Sequence, residues 1–200
     1  MKRAAMFGLD ARIALAIFGA LSVISGAALY SAISNAKATA FLADMREVGK
    51  AWESYYLDTG RMLGQRSTNN SEDNFYRYRI VGLQENVFNL KGWAGPYLPY
   101  SYNTYNLFYP AGEDLHMLML TEDNAWGATT WNGGKCVSGT KCYAWVYING
   151  LDGSLAPAID EIVDGGDGAT SGNFRYFDST HATWKYSYVL KISQVENPND

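Results

Sequence analysis

The chain has 200 residues and a formal net charge of -4, with 15 tyrosines, 20 glycines and 2 cysteines. That length suits one domain able to bury a real core. The negative balance, about -6 if Lys2 and Arg3 are lost in processing, gives nucleic-acid binding no electrostatic support.

Lys2 and Arg3 precede an uncharged run, residues 13–35. At about 1.5 Å per residue, such a run is long enough to cross a ~30 Å hydrocarbon layer. The basic lead predicts an N-in orientation, with everything after Asn35 outside the cytoplasm. Asp10 sits at the cytoplasmic lip of the run, where an ionisable group is costly and therefore points to function. Three readings are open. One is a secretory signal peptide removed near Ala36-Lys37-Ala38. Another is a plain membrane anchor, with Asp10 lying among headgroups. The third is a short basic leader cut on the cytoplasmic side, with the apolar helix kept.

Past Asn35, Phe41, Met45, Val48, Trp52 and Tyr55 recur every three or four residues, an apolar seam along a helix. No proline separates this seam from the membrane run, and Gly60 supplies a left-handed stop. A removable signal peptide has no reason to continue into such a helix. Arg61 to Asn74 reads as loop, Phe75 to Val81 as a strand or short helix, and residues 82–99 as an irregular connection. Leu115 to Leu120 and Cys142 to Ile148 read as strands. Leu155 to Val163 reads as a helix with Ser154 as N-cap and Pro157 in the first turn. Asn173 to Phe177 and Thr183 to Ile192 read as closing strands. In the last, Trp184, Tyr186, Tyr188 and Leu190 alternate with Lys185, Ser187, Val189 and Lys191, as in a strand with one buried face. The expected fold class is α+β: a long N-terminal helix carrying a two-layer head with an antiparallel β-sheet.

Cys136 and Cys142 flank what reads as a hairpin end. Outside the cytoplasm this pair should form a disulfide, and no further soft ligand nearby suggests a metal. Asp164-Gly165-Gly166-Asp167-Gly168 reads first as ordinary turn chemistry. Its alternative is a calcium site on Asp164 and Asp167, although no third acid is evident beside them. No other cofactor is expected. His116 and His181 lie far apart, and no nucleophile, nucleotide or zinc motif is present, so no enzyme activity is expected. Tyr97, Tyr100, Tyr102, Tyr105 and Tyr109 could contact sugars or protein but are more simply packing residues.

The N-terminal pattern resembles the type IV pilin and type II secretion pseudopilin superfamily. Its members have a leader, a cut, an acid shortly past the cut, and a long apolar helix with a glycine near its middle. Placing Gly19 on that glycine puts the cut between Ala5 and Met6 and Asp10 on the acidic position. The family more often has Gly, Phe and Glu at these three places. Tyr56-Leu57-Asp58-Thr59-Gly60-Arg61 and Gly92-Trp93-Ala94-Gly95-Pro96-Tyr97-Leu98 are also similar to family segments. The resemblance implies a leader (1–5), a long helix (6–58) and a globular head (59–200). It implies cleavage by a prepilin peptidase, methylation of the new N-terminus, and assembly by inner-membrane machinery into a helical filament with copies of itself and other pilin-like subunits. It places the precursor in a bacterial inner membrane and the product in a periplasmic or extracellular filament. Asp10 would pair with a neighbouring subunit's new amine. The runner-up is a monomeric membrane-anchored periplasmic binding module, and a secreted enzyme behind a signal peptide is a third class.

Overall fold

Helix α1 runs from Ala4 to Thr59 in the computed structural model, which describes residues 4–110, 113–178 and 186–200. Good helix formers fill it, and the first proline of the chain is Pro96. It stops at Gly60, whose φ of 65° suits the left-handed cap and whose N–H donates to the Tyr56 carbonyl at 2.8 Å. Contacts divide the chain into two units, one through Lys37 and one from Ala38 to Asp200. In the first, every residue from Asp10 to Ile33 is exposed. By length and composition this part of the helix can cross a membrane.

In the second unit the expected seam is the helix's buried face. Ala38, Phe41, Leu42, Met45, Val48, Trp52 and Tyr55 are all buried. Two side chains fix the helix further: Tyr109 donates to Asp44 at 2.5 Å, and Tyr97 to Asp58 at 2.9 Å. The approach at Gly92 is close enough to require glycine, since a Cβ there would lie 2.3 Å from the Asp58 carbonyl oxygen.

Six strands form one antiparallel sheet: β1 (Ser101–Tyr102), β2 (Leu107–Phe108), β3 (Asp114–Leu120), β4 (Cys142–Leu151), β5 (Phe174–Asp178) and β6 (Tyr186–Val195). Their order is β1-β2-β3-β4-β6-β5, so β6 pairs with β4 and sends β5 to the edge. Phe75 to Val81 becomes two 3-10 turns, Asp73–Tyr76 and Ile80–Leu83, and Arg77 between them bridges to Leu118 of β3. Helix α2 spans Ala156–Asp164. Ser154 does not cap it. Asp152 instead accepts from the Ser154 N–H and hydroxyl, both at 3.0 Å, closing a 3-10 turn ahead of the helix.

The alternation expected for one wet face fails in β6. Ser187 and Val189 are as buried as Tyr188 and Leu190; Trp184 and Lys185 lie outside the described residues. The reason is a second cover. Trp126 and Trp131, in the long β3–β4 connection, are buried, and Trp126 meets Trp145 of β4 edge to face at 4.8 Å. Arg175 of β5, 0% exposed, lies with its guanidinium 4.2 Å from the Trp126 ring and 5.3 Å from the Trp145 ring. It donates to the carbonyls of Glu122, Asp123 and Trp126, and burial pulls its pKa down. A buried cation is tolerable there because aromatic faces and carbonyl dipoles surround it. Arg175→Met should therefore cost about 3 kcal/mol or more in denaturant unfolding, because three carbonyls lose their donor. A loss within experimental error would show the guanidinium to be dispensable.

Candidate functional site

Ala5, Met6 and Asp10 all lie in the first turns of α1, and Asp10 is exposed. A Cβ added at Gly8, Gly19 or Gly26 would meet nothing within 4 Å. Packing inside this chain therefore does not account for glycine at these positions.

Cys136 and Cys142 form the expected disulfide, with Cα atoms 5.9 Å apart. The loop between them does not tip a tight hairpin. It is the last part of the long connection, and a bridge from Lys135 to Leu120 holds its near end to β3. Asn197 Nδ2 donates to the Val137 and Thr140 carbonyls at 2.7 and 2.9 Å, and Asn199 Nδ2 to the Cys136 carbonyl at 2.8 Å. Asp200 Oδ1 accepts from the Gly139 N–H at 2.7 Å. The bridged loop is thus stitched to residues 197–200. Replacing both cysteines by serine should cost about 2–3 kcal/mol in unfolding experiments. Thiol labelling of the unreduced, denatured protein should find no free cysteine.

The acidic turn has more in it than the sequence reading supplied. Asp164 and Asp167 do come together, and a third acid, Asp160, joins them. It lies one turn earlier on α2, and one ligand oxygen from each falls within 4.8 Å of the others. Gly165, at φ 71°, ends α2 with its N–H on the Glu161 carbonyl, and the Gly166 N–H reaches the Asp160 carbonyl. This turn brings Asp167 back toward the helix. Asp160 Oδ2 accepts from the Gly168 N–H at 3.0 Å. Asp164 accepts from the backbone N–H groups of Asn173 and Phe174 at 2.9 and 2.7 Å, fixing the entry to β5. Burial first, then the charges of Asp167, Asp164 and Glu161, raise the Asp160 pKa above the usual carboxylate range. The donor set is all oxygen, the kind taken by a hard cation such as calcium.

The tyrosines divide between two roles. Tyr97 and Tyr109 bind helix acids as above and Tyr100 packs on Tyr109, whereas Tyr102 and Tyr105 are exposed. His116 is buried at 3% exposure in β3, with Nδ1 2.9 Å from Arg66 Nη2. His181 lies outside the described residues. Burial, with the Arg77 and Arg66 guanidiniums, holds His116 well below the usual histidine pKa. Folded His116 stays neutral, while the unfolded chain takes up a proton below about pH 6.5. Stability should therefore fall as pH drops below that value, by up to about 1.4 kcal/mol per unit. Denaturant midpoints for His116→Gln should lose this slope; an unchanged slope would assign it elsewhere.

No protein-family model, no curated protein and no solved structure matches this chain.

Proposed function

We propose that this chain is a structural subunit of a type IV pilus-like or type II secretion pseudopilus filament. It enters the inner membrane as a precursor, is cut between Ala5 and Met6 by a prepilin peptidase, and polymerises through its N-terminal helix. The observation that carries this reading is the character of α1. One helix combines a stretch exposed from Asp10 to Ile33, uncharged from Ile13 onward, with a seam buried from Ala38 to Tyr55. A removed signal peptide has no use for that continuity, and an ordinary anchor does not require it.

Glycines whose Cβ positions are open on the chain itself favour the same reading, because they leave room for a neighbouring helix to approach. Asp10 then has a physical task. Cleavage creates an ammonium group that packing would strip of water, and a carboxylate from another subunit offsets that cost. A head with a disulfide suits an oxidising compartment. Tyr102 and Tyr105 leave aromatic surface for contact between subunits.

Asp10→Asn tests the proposal. The variant should insert, because a neutral residue enters the bilayer more easily than an acid, and intact mass should still place the mature N-terminus at Met6. Sheared surface filaments should fall about a hundredfold, the effect of ~3 kcal/mol for an uncompensated buried charge. Asp10→Glu should restore them. Normal filaments from Asp10→Asn would refute the assembly role of Asp10. A monomeric membrane-bound pool in the wild type would favour the anchored binding module, and a mature N-terminus near Lys37 would mean a signal peptide.

A further inference from the structure

We infer that Arg12 makes a second contact between subunits, its guanidinium pairing with Asp10 of a neighbouring copy. The inference rests on the filament reading above and adds a partner that the reading does not supply.

The sequence isolates this cation. Arg12 directly precedes the uncharged run, and Asp10 is the only acid before Asp44. A charge at the edge of an apolar span is costly without a partner. Within its own chain Arg12 has none. Two residues along a helix turn by about 200°, so Asp10 and Arg12 face nearly opposite ways. Both are exposed, and the ion pairs among the described residues, Lys50–Glu47, Lys135–Asp73 and Lys191–Glu122, involve neither.

Opposite faces suit a contact that repeats. Each helix presents an acid on one side and a cation on the other, so parallel copies can pair side by side. Every pairing leaves one acid and one cation open for the next copy, which is how a heterologous contact grows a filament. The backbone shapes the meeting point. Gly8 lies one turn before Arg12 on the same face, and a Cβ there would meet nothing within 4 Å. Long helical side chains lean toward the N-terminus, which carries the guanidinium over Gly8. The missing side chain leaves a notch there, open to a neighbour's carboxylate.

The pairing coexists with the amine at Met6. A carboxylate has two oxygens and about four lone-pair sites, enough for both cations. The amine lies ~6 Å below its own Asp10 along the axis, so a neighbour raised by that distance delivers it. Arg12 needs little axial offset, so a different neighbour delivers it. Asp10 then joins three copies, and the fixed fork of the guanidinium restricts how they rotate. In the bilayer Arg12 can snorkel to headgroups and water. The pairing therefore matters once the helix has left the lipid for the filament core.

Sheared filament yield, measured beside the processed membrane pool of the full-length chain, tests this. Arg12→Glu sets acid against acid and should lower filaments about a hundredfold, with intact mass still showing the processed pool. Arg12→Lys keeps the charge and should keep most of the yield. The double variant is the sharper test and decides alone if Arg12→Glu is not processed. Asp10→Asn strands Arg12 without its acid. Adding Arg12→Leu removes the stranded cation and should raise filaments at least about tenfold above Asp10→Asn. Normal filaments from Arg12→Glu, or a double variant no better than Asp10→Asn, would overturn the pairing and leave the filament reading standing. A wild-type chain that forms no filaments would overturn both.

Discussion

Burial of the α1 seam is the interaction on which the head depends. Phe41, Met45, Val48, Trp52 and Tyr55 form one wall of the core, and the helix-facing residues of β4 and β6, among them Val146, Ile148, Tyr188 and Leu190, form the other. Phe41 joins the two directly, with edge-to-face contacts to Tyr109 and Tyr188. The short strands β1 and β2 and the irregular 82–99 connection have little regular hydrogen bonding of their own. They are placed by what they attach to: Tyr97 and Tyr109 through helix carboxylates, and Trp93 through the Gly82 carbonyl.

The head treats its two kinds of charge differently. Cations lie on aromatic faces: Arg77 on Trp131, Arg175 on Trp126 and Trp145, and Lys191 on Tyr143. Guanidinium is weakly hydrated and gains from a π-face, so it can be covered at moderate cost. A carboxylate has no such option and needs N–H donors, a cation or water. That difference is why Arg175 is covered by rings and carbonyls, whereas Asp160 and Asp164 take backbone N–H donors from Gly168, Asn173 and Phe174.

What could be read from the sequence follows from how local each signal is. The α1 seam was legible because five residues at helical spacing define it without reference to anything else. Strands β3 to β6 were legible for the same reason, through runs of apolar and aromatic residues. The cover over the outer face of the sheet was not, since Trp126 and Trp131 sit in a stretch with no periodicity, and only the fold shows Trp126 against Trp145 and Arg175. Asp160 is not legible as a neighbour of Asp167, because their proximity depends on the reversal at Gly165 and Gly166. The pairing of Cys136 with Cys142 was legible, but the grip of Asn197 and Asn199 on that loop was not, being a contact between distant segments.

The unbroken course of α1 has a mechanical consequence. Tension along the helix axis would load the seam in shear, so that Phe41, Met45, Val48 and Trp52 resist together instead of peeling away one at a time. The hydrogen bonds from Tyr109 to Asp44 and from Tyr97 to Asp58 fall within the buried stretch and just past its C-terminal end. They act as side ties, opposing rotation of the helix out of its groove before the apolar contacts slip. The head is thus fastened to its helix in the direction of greatest resistance, and its weakest response would be to a force that lifts the helix sideways.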